Sequence, residues 1–208
     1  MRTYIQLDVQ NLFFAAKDIN KRIDFLRIRD YFQKQEKEVM GMTAYIIRSP
    51  NASSDRFEGF LKNLGYELNI KRALIGTDSE GRRIYKGTDH DIAICIDCMR
   101  RIDSFDKWVL MSGDGDFIDL CKYLKDRGKF VEVWSLPGVS FNKRFCDYAN
   151  IIRFLDDSFF FDKNEVIRDE RRTGEFNEEP RNYIPQIQTT AEKIDVSEDS
   201  SRDAENTR

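Results

Sequence analysis

Histidine is almost missing from this sequence: His90 is the single one in 208 residues. Ser112 has no neighbouring histidine base, so a serine-nucleophile role is poor, and one imidazole makes no histidine cluster for a metal. Cysteine is also scarce. Of Cys95, Cys98, Cys121 and Cys146, only the first two form a CxxC, and they fall within a helical pattern. They read as packing thiols in a reducing compartment rather than as a redox pair or a zinc site. No apolar run approaches the ~18 residues of a membrane span. The first strand starts almost at once and carries polar residues, so no signal peptide is read and a cytoplasmic, membrane-free protein is expected. Neither charge dominates: 34 Lys and Arg face 37 Asp and Glu, for a formal net charge of -3. That balance excludes the overall basicity of a pure nucleic-acid binder, but it leaves room for a local basic groove.

What is present is a regular alternation of short apolar runs, with 40% apolar residues in all. Residues 4–8 read as a buried strand, and residues 11–14 as a loop or first helical turn. Asp24 is a suitable N-cap for a helix whose Phe25, Ile28 and Phe32 share one face. Gly41 interrupts a polar run before a strand at 43–47. A helix capped by Ser53 or Ser54 is expected to turn Phe57, Phe60, Leu61 and Leu64 inward and to end at Gly65. Residues 66–74 read as a strand and 76–86 as an exposed loop. Ile92, Cys95, Ile96 and Met99 recur at i, i+3, i+4 and i+7, which predicts a helix burying that stripe.

A central strand follows at 107–111, then a helix with Phe117, Leu120, Cys121 and Leu124 inward, ending near Gly128. A strand at 129–134, a turn at Pro137-Gly138, a short helix at 141–149 and a last strand at 151–155 complete the alternation. Such alternation predicts an α/β fold with parallel strands, right-handed crossovers and helices on both faces. The domain is expected to span 1–161, with Phe159-Phe160-Phe161 packing on it. Residues 162–208 are polar and read as a disordered tail. Tyr183-Ile184-Pro185-Gln186-Ile187 within it is a candidate docking segment for a protein partner.

The acids stand where such a sheet places its site, beyond the carboxyl ends of strands. Asp8 closes the first strand, Asp114 and Asp116 follow the central one, and Asp91 opens a helix. Carboxylates sharing a pocket raise one another's pKa, and a divalent cation removes that penalty. An all-oxygen set suits Mg²⁺ or Mn²⁺, which activate water and stabilise charge on a phosphoryl group. Each acid also has a plainer reading: Asp91 and Asp116 as helix caps, Asp114 as a turn former. Asp89, two residues before Asp91, either ligates the ion directly or hydrogen-bonds a group that does. Asp97 lies about 240° around the helix from Asp91, so both are not expected on one ion. Asn11 either orients a water, ligand or phosphate or caps the next turn, and Ser112 either hydrogen-bonds the pocket or binds phosphate. Arg82, Arg83, Lys86, Lys143 and Arg144 are candidate contacts to a nucleic-acid backbone. His90 is expected at the surface.

Three segments carry a resemblance. Asp8-x-x-Asn11, then Lys86-Gly87 with Asp91 and Asp97, then Ser112-Gly113-Asp114-Gly115-Asp116-Phe117 occur in this order. Together they resemble the NYN domain family, related to PIN-like nucleases and including LabA-like bacterial proteins. The resemblance covers roughly residues 3–156. It implies a three-layer Rossmann-like PIN-type fold and a metal-dependent endoribonuclease using Mg²⁺ or Mn²⁺. It matches Asp8, Asn11, Asp91, Asp97, Asp114 and Asp116 to the family's site. The family's usual middle motif is closer to Lys-Gly-Val-Asp-Val; here two further residues separate Gly87 from Asp91, which leaves Asp89 as another register. The alternatives are an RNA-binding or regulatory module with weak or no catalysis, a phosphatase of another α/β class, and a scaffold or homo-oligomerisation domain. Val9-Gln10 after Asp8 argues against the aspartyl-phosphate phosphatases, which place a second Asp two residues on.

Overall fold

In the computed structural model, residues 1–48, 55–77, 83–86, 89–138 and 141–161 are described. Ser53, Ser54, Arg82, Gly87 and the chain from 162 onwards, for which the sequence gives expectations, lie outside them.

The centre is β1 (Arg2–Asp8), buried along nearly its whole length. Its odd positions, Ile5 and Leu7, join one apolar layer, while Tyr4 joins the other. Strands covered on both faces need such continuous burial. On one side β1 pairs with β2 (Glu38–Arg48), which pairs with β3 (Glu67–Arg72). On the other it pairs with β6 (Lys107–Met111), followed by β7 (Phe130–Ser135) and β8 (Ile151–Phe154). All five pairings are parallel, giving a six-stranded sheet in the order β3-β2-β1-β6-β7-β8. The strand order reverses between β1 and β6, and the carboxyl edge at such a switch point is where open α/β sheets place their ligands.

Three helices cover the first face: α1 (Val9–Asp18), α2 (Phe25–Gln35) and α3 (Asp55–Asn63), whose Leu12, Ile28, Phe32 and Leu61 share the first layer. The second face is covered by α4 (Asp91–Arg100), α5 (Ile118–Asp126) and the short α6 (Phe145–Tyr148). Asp24 caps α2 by accepting from the Leu26 and Arg27 amides. At φ +88°, Gly65 closes the α3 end, where only glycine is unstrained. Phe159 and Phe160 pack into the first layer. Among the described residues no helix is long and apolar enough to cross a membrane.

Several expectations need correction. Residues 11–14 belong to a ten-residue helix, because Leu12, Ala15 and Ala16 are buried at helical spacing and Asp8 caps the start. Gly41 lies inside β2, where the register slips past Met40 to pair Gly41 with Tyr4. Phe60 is exposed, and its helix buries Glu58 instead, held by the Arg48 guanidinium. Part of the expected 76–86 loop forms an antiparallel ribbon of β4 (Leu74–Thr77) and β5 (Arg83–Lys86). The 141–149 helix is reduced to four residues.

The largest correction concerns α4. Ile94 and Cys98 face the core, whereas Ile92 is 73% exposed and Ile96 and Met99 are exposed too. Ile92-Ala93-Ile94-Cys95-Ile96 is apolar on every side, so periodicity cannot choose the inward face. Polar anchors choose it: Gln6 Nε2 donates to the Ile94 carbonyl at 3.1 Å, and Tyr45 OH donates to Asp97 at 3.0 Å.

Candidate metal centre

The site grows from the ends of β1 and β6. The chain leaves β1 at Asp8, whose carboxylate accepts from the Asn11 amide at 3.0 Å and so caps α1. The other oxygen accepts from Ser112 Oγ at 3.3 Å, just past β6. Asn11 Oδ1 accepts from the Gly113 amide at 2.9 Å, a second tie between the two strand ends. Ser112 Oγ also accepts from the Asp114 amide at 3.2 Å, and Asp114 accepts from the Asp116 amide at 3.0 Å. The Gly113–Asp116 segment thus curls back over the carboxyl edge and opens α5 through a 3-10 turn.

Asp91, the first residue of α4, meets this loop from the second face. Carboxylate oxygens of Asp91, Asp114 and Asp116 lie within 4.8 Å of one another. Asp91 and Asp114 are half-buried and Asp116 is exposed. This is one mouth, open to solvent, with three acids from two chain segments. Burial, and then the neighbouring charges of Asp114, Asp8, Asp89 and Asp116, push Asp91 up to about 6. Burial pushes Asp8 up to about 6 as well, against the hydrogen bonds from Asn11 and Ser112 that lower it. Asp8 is not one of the three clustered acids: both its oxygens are engaged inside the protein, and only 8% of the residue is exposed.

An all-carboxylate donor set fits a hard divalent cation, because binding one removes the repulsion that helps to raise Asp91. No thiol or imidazole competes among the described residues of the cluster. Cys98 is buried, and that burial holds its thiol far above its usual pKa, so the CxxC is packing.

The remaining candidates separate. Asp89 is outside the cluster; its carbonyl accepts from Lys71 Nζ at 2.9 Å. Asp97 is outside it too, accepting from Tyr45 OH at 3.0 Å and Asn69 Nδ2 at 3.1 Å. His90 is a correction: it is buried, its ring packs against Tyr45, and Nε2 lies 2.9 Å from the Ile46 carbonyl. Burial lowers its pKa and favours the neutral ring. Lys143 and Arg144 are exposed on a segment whose Asn142 amide donates to the Gly113 carbonyl at 2.9 Å. Arg83 and Lys86 lie on β5.

Asn142 was not singled out from the sequence. A β-carbon on Gly115 would stand 2.1 Å from Asn142 Nδ2, so the second glycine of the motif exists to admit this side chain. The first hint was available in the Gly-Asp-Gly-Asp spacing; the partner was not.

A parallel sheet layered on both faces by helices, with acids gathered at its switch point, defines a PIN-like α/β/α protein. The chain belongs to the NYN domain family, whose model matches residues 2–157. It is 27% identical over 164 residues to the low amplitude and bright protein LabA of Synechococcus elongatus, across 74% of this chain and 88% of LabA. It is similar to the crystal structure of a protein of unknown function from Vibrio parahaemolyticus, with TM-score 0.66 and 29% identity, covering 77% of this chain and 96% of that one. Family and acid cluster together point to a nuclease-like or RNA-related role.

Proposed function

We propose that this chain is a metal-dependent endoribonuclease that hydrolyses RNA phosphodiester bonds. The observation that carries the reading is the convergence of Asp91, Asp114 and Asp116 within 4.8 Å at the switch point. These three would hold Mg²⁺ or Mn²⁺. When bound, such a cation lowers the pKa of water and neutralises charge growing on the phosphoryl oxygens.

The chain's own residues do the rest. Asp8, pushed up to about 6, accepts a hydrogen bond at each oxygen, but a carboxylate has about four acceptor sites, and a remaining one would take the proton that water loses on attacking phosphorus. Ser112 and Asn11 hold the two strand ends in register, so Asp8 faces the Asp114 loop. Lys143 and Arg144 contact flanking phosphates, and Arg82, Arg83 and Lys86 are the further backbone contacts of this reading. The protein is read as cytoplasmic, with residues 1–161 as the domain and 162–208 as a tail available to a partner.

The test is incubation of the full chain with single-stranded RNA, DNA and a generic phosphate ester, with Mn²⁺, Mg²⁺ or EDTA. RNA cleavage is expected with either metal and none with EDTA. Asp8→Asn and Asp114→Asn each lower it by about 100-fold or more, the scale on which general-base and electrostatic groups act. RNA binding without cleavage across the metal series would refute the enzyme and favour a binding or regulatory module.

A further inference from the structure

We propose that Phe154, backed by Phe141, is a stacking platform for one base of a single-stranded RNA whose backbone crosses the acid cluster. The inference rests on the ribonuclease reading for its substrate and adds a subsite to it.

Strand register places the ring. Met111 pairs with Trp134, and Ser135, the next residue, pairs with Phe154. Phe154 therefore stands on the same carboxyl rim as Ser112, one step beyond the Met111 level and two strands across. At ~4.8 Å per strand the separation is about 10 Å, within reach of a nucleotide adjoining the scissile phosphate.

The ring is held, not loose. Phe141 packs edge-on against Phe154 at 5.1 Å between centroids, and stacks on the fully buried Phe145 at 5.8 Å. Even so, Phe154 remains 44% exposed. It forms one wall of a shallow hollow of about 590 Å³ that also includes Lys21 and Pro137. Phe154 therefore presents an exposed ring braced by Phe141, which is itself anchored on Phe145.

The hollow itself holds Asp156 and Asp157 beside Lys21, so a phosphate backbone would be met from the neighbouring segment that carries Phe141. Lys143 and Arg144 are exposed between Phe141 and Phe145, and neither is paired with a carboxylate among the described residues. The nearby Asp156 accepts from the Ser158 amide, and Asp157 is paired with Lys21. Asn142, in the same segment, is fitted against Gly113 and Gly115, so the acid loop and the aromatic segment are one connected surface. Aromatic faces interleaved with basic side chains are how proteins hold single strands; duplex bases, already stacked, cannot use them.

The test measures binding of the full chain to a labelled, unstructured single-stranded RNA and to a blunt duplex of the same sequence, by anisotropy in EDTA. Phe154→Ala is expected to weaken single-strand binding by about 5- to 150-fold and to leave duplex binding unchanged. Phe154→Trp restores it. Phe154→Leu keeps an apolar contact with Phe141 but has no π-face; it serves if Phe154→Ala fails to fold, and it behaves as the Ala variant. Wild-type single-strand affinity in Phe154→Leu, or an equal loss on the duplex, overturns the platform. An enzyme that cleaves with Mn²⁺ yet ignores both substitutions loses the platform and keeps the ribonuclease reading. A chain that never cleaves but shows Phe154-dependent single-strand binding keeps the platform and loses the enzyme.

Discussion

Ser112 Oγ joins two acids from distant parts of the sequence: it donates to Asp8 at 3.3 Å and accepts from the Asp114 amide at 3.2 Å. One hydroxyl thus sets the spacing between the end of β1 and the loop after β6. Ser112→Ala leaves the Asp114 amide without its acceptor and takes a stabilising donor from Asp8. It is expected to cost about 1–3 kcal/mol in urea unfolding. RNA cleavage should fall with it, because Asp8 becomes harder to ionise.

Asp8 gives a pH prediction. Burial lifts its pKa from 3.8 to about 6, so between those values the folded chain binds more protons than the unfolded one. Its contribution to stability is complete below about pH 4 and is lost as the pH rises through about 6. Asp8→Asn carries no charge to desolvate, so the metal-free variant should melt above wild type at pH 7.5, by about 1–3 kcal/mol. The advantage should vanish near pH 4. The same substitution should lower cleavage by about 100-fold or more, and calorimetry beside the RNA assay reads both.

Cation binding should stabilise the native chain alone. At about 100 times its dissociation constant, Mn²⁺ is expected to add ~2.7 kcal/mol. The gain in melting temperature should be larger at pH 7.5 than at pH 5, because protons compete for Asp91, whose pKa is about 6. An equal shift with Asp114→Asn would show the ion bound elsewhere.

Gly115 and Asn142 should behave as a coupled pair. Gly115→Ala drives a β-carbon to 2.1 Å from Asn142 Nδ2 and is expected to cost about 1–3 kcal/mol and much of the cleavage. Asn142→Ala in the same chain removes the obstacle and should recover most of both. A double-mutant cycle that proves additive would exclude the contact as the cause.

Asp97 should separate from the metal centre. Asp97→Ala removes the acceptor of the Tyr45 hydroxyl and is expected to destabilise by about 1–3 kcal/mol. Mn²⁺ should still raise the melting temperature of Asp97→Ala as it does that of wild type, since Asp97 is outside the clustered acids.

Much of the frame was legible from local pattern. The Lys107–Met111 strand and the inward Phe117, Leu120, Cys121 and Leu124 could be read because their apolar residues admit one solution. The Asp24 cap and Gly65 stop were legible because each has a local chemical cause. The inward face of α4 was not legible because a segment apolar all round has no preferred face until Gln6, Tyr45 and Asn69 engage it. His90 was misplaced for the same reason: its polar ring is buried by one distant carbonyl, that of Ile46.

By itself the sequence determined the alternating α/β order and which acids end strands, because both follow from residues close along the chain. Tertiary structure alone decided how those acids divide. Asp114 and Asp116 meet Asp91 only because α4 docks over the β1–β6 switch point. Asp8 is held just behind them because Ser112 and the α1 amides occupy its oxygens. Asp97, on the same helix as Asp91, is turned to Tyr45 and Asn69. The cause is geometric: carboxylates far apart in sequence acquire different roles only when packing sets which share solvent and which are already hydrogen-bonded.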